Sequence, residues 1–247
     1  MPALSPSAPS ATAPFPVAPN RTDGVLNLAG LRATPPAQEP FPHLVMTGFI
    51  PPAVAAAARR DFPDSPHGGL VPAPSREDLA RAEREQGALD GFTRLLAALT
   101  APETTQAFAD TFNLELDPDA LMVTVRSRCV PKDGRIHTDS VTKRLTALLY
   151  LNEDWTATGG RLRLLRSADD MNDMLAEVLP VDGTLVVFRR TDNSFHGHKP
   201  HDGERRYIML NWMVDAGTAR RETLRHSMTA GLKRFTLGGA FSGKGSK

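Results

Sequence analysis

The stretch GRIHTDSVTKRLTALLYLNEDW, residues 134–155, decides the predicted fold and the predicted chemistry of this chain. His137 and Asp139 stand two residues apart, and a run of apolar, strand-forming residues follows them before Trp155. Alternate residues of a β-strand point to the same face, so an imidazole and a carboxylate at this spacing converge on one point. The pattern predicts two metal ligands on one strand, and a third ligand must come from elsewhere in the chain.

The bulk composition is that of an ordinary globular protein. The chain has 247 residues, enough for one large domain or two small ones, and a net charge of +1, which gives no reason to expect a specific nucleic-acid partner. The single cysteine, Cys129, excludes an internal disulfide and fits a reducing compartment. No apolar leader precedes Arg21, and prolines interrupt the apolar stretch 40–58, so we expect neither a signal peptide nor a membrane span. These features predict a soluble, cytoplasmic protein.

The chain is organised as helices followed by strands. Residues 1–20 are rich in Pro, Ala and Ser, which predicts a disordered tail. Supporting helices are predicted over 51–116, where Ser75 and Asp78 have the spacing of a capping box. From 118 to 215, short strand-forming runs alternate with turn residues, as in a barrel or sandwich. The runs are LMVTVRSRC, LTALLYLN, GRLRLLR, GTLVVFRR and RYIMLNWMV, with an earlier β-like run, FPHLVMTGFI.

These segments predict a single catalytic domain over 21–215, mainly β with flanking helices. Residues 216–247 form a basic extension with seven lysines and arginines against one glutamate. Such a segment is typical of a solvated helix with a frayed end, or of a surface that meets an anionic partner or substrate.

The third metal ligand is expected from the stretch SFHGHKPHDGERRYIMLNW, which contains His196 and His198. Either histidine, together with His137 and Asp139, completes a set of two histidines and one carboxylate. This set leaves coordination positions open and is typical of non-haem Fe(II) oxygenases. Zinc is less expected, because structural zinc sites are rich in cysteine and Cys129 stands alone.

Residues 122–213 resemble the catalytic core of the Fe(II)- and 2-oxoglutarate-dependent oxygenases, most closely the prolyl-4-hydroxylase-like branch. The resemblance rests on motifs that follow the His-X-Asp pair in the order of that family. They are LLYLNEDW at 148–155, a Gly-Gly-X-Leu-X-Leu strand at 159–164, a Pro-X-X-Gly-X-Leu-X-X-Phe strand at 180–188, and the closing residues His196, Arg206, Tyr207 and Trp212.

The resemblance implies a double-stranded β-helix, or jelly roll, with N-terminal supporting helices. It also implies that His137, Asp139 and a distal histidine bind iron. His196 is the preferred distal ligand, because it precedes Pro200 by four residues and the expected anchor arginine by ten, and the resembled family has nine or ten positions between these two residues. His198 is then expected behind the ligands or on the side of the substrate.

The resemblance further implies that Arg206 pairs with the far carboxylate of 2-oxoglutarate, since its planar fork matches a carboxylate. Tyr150 resembles the tyrosine that hydrogen-bonds the same carboxylate. Two alternatives stay open: Arg205 is the anchor, or Tyr150 is only a core residue. Arg126 and Arg128 share a face of the preceding strand, where they line the substrate mouth or face solvent.

The activity implied is that of a dioxygenase that hydroxylates a C–H bond, converts 2-oxoglutarate to succinate and CO2, and uses O2, with ascorbate as an accessory reductant. Asp139 favours hydroxylation, because related halogenases lack this carboxylate. The substrate is expected to be a small molecule or a peptide. Two other classes stay open: a cupin-like metalloenzyme that uses His196 and His198 without 2-oxoglutarate, and a non-catalytic β-barrel binding module.

Overall fold

The computed structural model describes residues 22–64 and 69–235, and it describes side chains of the last helix as far as residue 227. The predicted tail over residues 1–20, and the part of the basic extension from residue 236 onward, lie outside the described residues.

Most of the helices lie in the first half of the described chain, and the last lies at its C-terminal end. Their bounds are α1 Leu28–Ala33, α2 Pro52–Arg60, α3 Arg76–Gln86, α4 Gly91–Leu99, α5 Pro102–Phe112 and α6 Ala216–Phe235. The predicted capping box is present at the start of α3, where the side chains of Ser75 and Asp78 each accept a hydrogen bond from the other residue's backbone N–H. The same helix ends at Gly87, whose φ of +74° is the left-handed conformation that glycine adopts without steric cost.

The strands form two antiparallel sheets. Their bounds are β1 His43–Met46, β2 Val71–Pro72, β3 Leu121–Cys129, β4 Lys143–Tyr150, β5 Leu162–Leu165, β6 Met174–Val178, β7 Leu185–Arg189, β8 His196–Gly197 and β9 Gly203–Met213. The major sheet has the order β1-β7-β4-β9-β3-β2, and the minor sheet has the order β6-β5-β8. Because strands distant in sequence pair antiparallel in two sheets, the predicted jelly-roll fold is confirmed.

Strand alternation gives the major sheet two different faces. The outer face packs against the helices, and Trp212 lies 4.7 Å from Phe108 between ring centroids. The inner face packs against the minor sheet through Leu148 and Phe188 on one side and Leu164 on the other. Whether a side chain lies on the outer face or the inner face decides whether it reaches the site.

Some local predictions were wrong or incomplete. His137 and Asp139 do not lie within a strand: His137 makes a single β-bridge with His196, and the backbone around Asp139 is irregular. The short strand β2 and the strand β6 were missed, because β2 has two residues and β6 has no strict alternation of buried and exposed positions.

The C-terminal helix α6 begins directly after β9 and packs Ala219 against Met122 and Met213. Met122 and Met213 belong to strands β3 and β9, so this helix covers one end of the sheet. Within the described residues, no helix has both the length and the apolar character needed to cross a membrane.

Candidate active site

A tight turn brings His137 to the minor sheet. The turn closes with a hydrogen bond from Asp133 N to Val130 O, and Gly134 follows with a φ of +85°. A Cβ atom at Gly134 would lie 2.4 Å from Nδ1 of His198, so only glycine fits here. Two backbone hydrogen bonds then join His137 to His196, N to O at 3.1 and 3.0 Å, and fix the two histidines side by side.

His137, Asp139 and His196 form a cluster in which the candidate ligand atoms all lie within 4.8 Å of one another. Nδ1 of His137 lies 2.8 Å from Arg135 O, and Nδ1 of His196 lies 3.0 Å from Ser194 O. A carbonyl oxygen only accepts, so both Nδ1 atoms carry the proton, and both Nε2 atoms keep a free lone pair. This is the tautomer that a metal ligand requires, with the second nitrogen held by a backbone carbonyl.

The Asp139 carboxylate is held at both oxygens. Oδ1 accepts a hydrogen bond from Lys143 Nζ at 2.7 Å, and Oδ2 accepts one from Thr146 Oγ1 at 2.6 Å. Burial alone would raise the pKa of Asp139, but Lys143 and His196 outweigh burial and hold the pKa below its ordinary value. Asp139 is therefore an ionised carboxylate with a fixed orientation, as a metal ligand needs.

Both histidines of the His196-Gly197-His198 segment are buried, but they have different surroundings. Burial lowers the pKa of His196 to about 4, against the opposing effect of Asp139. Burial also lowers the pKa of His198 to about 4, assisted by Arg205. His198 Nδ1 contacts its neighbour's carbonyl, Lys199 O, at 2.9 Å, and His198 is not part of the ligand cluster. The geometry thus favours His196 as the ligand and disfavours a cupin-like pair.

Arg205 lies on the inner face with only 2% of its surface exposed. Its Nε donates to Gly160 O at 2.6 Å, and one terminal nitrogen donates to the Tyr150 hydroxyl at 3.0 Å. The other terminal nitrogen has only a weak contact, 4.0 Å, with the sulfur of Cys129. Among the residues that the structure describes, no carboxylate pairs with this buried cation.

Tyr150 is fully buried beside Arg205, and Tyr207 lies under the same guanidinium, 4.9 Å from its ring centroid to the Arg205 carbon Cζ. Burial raises the pKa of Tyr150 to about 12, although Arg205 opposes this effect. The hydroxyl is therefore protonated, and because it accepts from Arg205, its proton is directed elsewhere. Tyr150 and Arg205 together offer donors to a buried anion.

The expectation that Arg206 lines the site does not hold for this geometry. Tyr150 pairs with Tyr207 across the sheet, which turns Arg205 and Tyr207 inward and Arg206 outward. The Arg206 side chain is 27% exposed and pairs with Glu204 at 2.7 Å. It borders a surface cavity away from the ligand cluster, lined by Phe62, Pro63, Asp64, Ser127, Arg128, Glu204 and Arg206.

Arg126 and Arg128 do not share a face, contrary to the prediction, because an irregularity in strand pairing separates them. Arg126 pairs with Asp133 at 2.5 Å, and its strand partner is Tyr207 on the inner face. Arg128 is exposed and pairs with Asp202 at 3.0 Å. Arg126 therefore lies behind the buried cation, and Arg128 faces the surface cavity.

Sequence reasoning missed two side chains that hold Asp139. Lys143 follows Asp139 by four residues, and Thr146 precedes Tyr150 by four, so Thr146 and Tyr150 share the inner face of β4. The Thr146–Tyr150 spacing could have identified Thr146. Lys143 could not be identified, because the backbone between Asp139 and β4 is irregular.

Comparison with known proteins agrees with this geometry. Residues 127–214 match the sequence model of the 2OG-Fe(II) oxygenase superfamily. No curated protein matches the chain.

Similar solved structures include a prolyl-4-hydroxylase from Pseudomonas putida, at 21% identity and a TM-score of 0.49, over 76% of this chain and 96% of that one. A prolyl 4-hydroxylase from Phytophthora capsici has 19% identity and a TM-score of 0.48, over 68% of this chain and 57% of that one. HygX from Streptomyces hygroscopicus, with nickel and 2-oxoglutarate bound, has 14% identity and a TM-score of 0.46, over 69% of this chain and 82% of that one.

The matched segment contains all three members of the ligand cluster and the buried arginine. The motifs read from the sequence had predicted the same superfamily. Residues 127–214, less than half of the chain, are therefore similar in sequence to the 2OG-Fe(II) oxygenase superfamily.

Proposed function

We propose that the protein is an Fe(II)- and 2-oxoglutarate-dependent dioxygenase that hydroxylates a C–H bond and releases succinate and CO2. The observation that carries this proposal is the buried guanidinium of Arg205, which has no carboxylate partner among the described residues. Burial of an ionised group costs a large desolvation free energy unless an opposite charge lies beside it. A dicarboxylate cosubstrate supplies that charge.

The donor set fits iron(II). His137 and His196 offer Nε2 lone pairs, and Asp139 offers a carboxylate oxygen, within one small cluster. Two imidazoles and one carboxylate are the ligands of non-haem Fe(II) oxygenases, whereas structural zinc sites are closed and rich in thiolates. When bound, iron would activate O2 so that 2-oxoglutarate is oxidised to succinate and CO2, with the second oxygen atom entering the substrate C–H bond.

Strand β4 sets the distance between the two ends of the cosubstrate. Thr146 holds the metal-binding carboxylate at one end of the inner face, and Tyr150 contacts Arg205 at the other. The two residues are four positions apart and lie on the same face of the strand. The candidate metal ligands and the buried cation therefore lie along one face of β4, as a diacid that contacts both requires.

Arg205 and Tyr150 have distinct tasks in this proposal. The guanidinium of Arg205 neutralises the far carboxylate, and its fork permits two parallel hydrogen bonds. The Tyr150 hydroxyl donates its proton to the same carboxylate, because its own acceptor side is occupied by Arg205. Leu148 and Phe188 line the inner face between the two ends and exclude water from the reacting groups.

Asp139 supports hydroxylation rather than halogenation, because its carboxylate fills the coordination position that a halide would take. The substrate class we propose is a small molecule or a peptide, on the analogy of the superfamily alone. The catalytic unit is proposed to extend over 21–215, in a cytoplasmic enzyme that uses ascorbate as an accessory reductant.

The test is succinate formation by purified protein with Fe(II), 2-oxoglutarate, ascorbate and air, measured by mass spectrometry. We expect succinate that depends on both metal and 2-oxoglutarate, and its loss in the Asp139→Asn variant. A cupin-like enzyme would bind metal without consuming 2-oxoglutarate, and a binding module would do neither. Absence of succinate from a folded, metal-loaded protein, supplied with a cell extract as the source of substrate, contradicts the proposal. Extract components that gain one oxygen atom in the same reaction identify the substrate.

A further inference from the structure

A cation is fixed on the one acidic ligand of the site. Lys143 opens strand β4, four residues after Asp139, and its Nζ lies 2.7 Å from Asp139 Oδ1. The side chains are 14% and 8% exposed, so water screens this pair less than it screens a surface pair. Thr146 Oγ1 holds the other carboxylate oxygen at 2.6 Å, which prevents the carboxylate from turning away from Lys143.

This ammonium changes the charge that a metal ion meets. The two imidazoles are neutral ligands, and Asp139 contributes one negative charge. Lys143 cancels that charge, so the protein part of the centre has a net charge of zero instead of −1. Arg190 also lies near Asp139 and donates to its backbone oxygen at 3.3 Å, but the side chain of Asp192 pairs with Arg190 at 2.7 Å. His226, on helix α6, is close enough to Lys143 for the two side chains to interact electrostatically.

We propose that Lys143 weakens the binding of the divalent ion alone and strengthens the binding of 2-oxoglutarate to the metal-loaded protein. This inference rests on the proposed function. A divalent ion raises the centre to +2 when Lys143 is present, and a dianion then brings it to zero. Without Lys143 the ion meets a centre of −1, and the dianion meets only +1. Lys143 thereby couples the loading of the metal to the loading of the cosubstrate.

The size of the effect follows from Coulomb's law. An ion on the carboxylate lies roughly 5–7 Å from Nζ. At that distance, and with the dielectric constant of water, the repulsion between the ammonium and a divalent ion lowers the affinity for the ion about tenfold. Salt at physiological strength reduces this effect, since the Debye length is about 8 Å. If Lys143 merely positioned Asp139, its removal would weaken metal binding instead, because the carboxylate ligand would be free to move.

The experiment measures dissociation constants at low salt with Mn(II), a redox-stable substitute for Fe(II), by electron paramagnetic resonance. Titration of 2-oxoglutarate into Mn(II)-loaded protein follows by calorimetry. The variants are Lys143→Gln and Lys143→Met, which remove the charge, and Lys143→Arg, which keeps it. Arg144→Gln is the matched control, because it removes the same charge from the next, exposed residue. Circular dichroism confirms that each variant is folded.

We expect Lys143→Gln and Lys143→Met to bind Mn(II) about tenfold more tightly and 2-oxoglutarate about three- to tenfold more weakly. Lys143→Arg and Arg144→Gln should stay near the wild type. Weaker or unchanged Mn(II) binding in both charge-removing variants overturns the inference, as does an equal effect of Arg144→Gln. If the wild type itself binds no divalent ion, the proposed function fails, and the inference fails with it.

Discussion

Replacement of Arg205 by methionine tests whether Arg205 or its neighbour Arg206 binds the far carboxylate of 2-oxoglutarate. Arg205 is 2% exposed on the inner face, whereas the Arg206 side chain is 27% exposed on the outer face and already paired with Glu204. A hydrogen bond between charged partners contributes about 1.5–3 kcal/mol, so its loss weakens 2-oxoglutarate binding about 10- to 150-fold. We expect the upper part of this range, because the site is buried and the carboxylate would be left unpaired.

The matched control is Arg206→Met. Exposed ion pairs contribute about 0–1 kcal/mol, and this pair is remote from the cosubstrate, so we expect less than a twofold change in 2-oxoglutarate affinity. Arg205→Lys should fall between the two, since it keeps the charge but loses the fork. The assay is calorimetric titration of 2-oxoglutarate into Mn(II)-loaded protein. Equal losses for the two methionine variants, or a larger loss for Arg206→Met, would refute the assignment from strand register.

Three further predictions concern the metal, the C-terminus and the core. His196→Ala should weaken Mn(II) binding in equilibrium dialysis by more than about 100-fold, because loss of a residue that only hydrogen-bonds a ligand weakens metal binding by at most about that factor. His198→Ala should retain the metal, and the reverse result would show that His198 is the ligand. Deletion of 236–247 should leave the rate of 2-oxoglutarate consumption unchanged, and a folded truncation without this activity would contradict the dispensability of these residues. Trp212→Ala should lower the free energy of unfolding by about 3–5 kcal/mol in urea titrations, because Trp212 is fully buried against Phe108; a loss below about 1 kcal/mol would contradict this packing.

The fold could be predicted because its signals are local. The run LMVTVRSRC coincides with strand β3, the run LTALLYLN overlaps most of β4, and the run GTLVVFRR contains β7. Apolar residues at strand spacing, interrupted by turn residues, are sufficient to locate such strands. The jelly-roll arrangement of the strands was implied by the family resemblance, since composition does not determine which strands are neighbours.

The ligand cluster could be predicted in part for the same reason. His137 and Asp139 were found by their spacing, although the backbone that holds them is a loop joined to His196 by one β-bridge, not a strand. The prediction that the side chains of His137 and Asp139 converge was right, but the reason given for it, their position on one strand, was wrong. Two hydrogen bonds from residues far apart in sequence fix the histidines, and spacing alone does not reveal such bonds.

The choice between Arg205 and Arg206 shows what spacing cannot decide. Adjacent residues of a strand face opposite sides, so a shift of one residue in register exchanges a buried anchor for a surface arginine. The register is determined by the pairing of Tyr150 with Tyr207, a contact between residues 57 positions apart. Spacing from His196 is nine residues to Arg205 and ten to Arg206, and both values occur in the resembled family.

The central claim is that one site binds iron(II) and 2-oxoglutarate together. The most direct measurement is anaerobic addition of Fe(II) and 2-oxoglutarate to the purified protein, followed by visible absorption spectroscopy. We predict a weak charge-transfer band that requires both ligands, that saturates at one equivalent of each, and that Asp139→Asn abolishes. Absence of the band, together with no calorimetric binding at millimolar ligand, would contradict the claim that these residues form a 2-oxoglutarate-dependent iron centre.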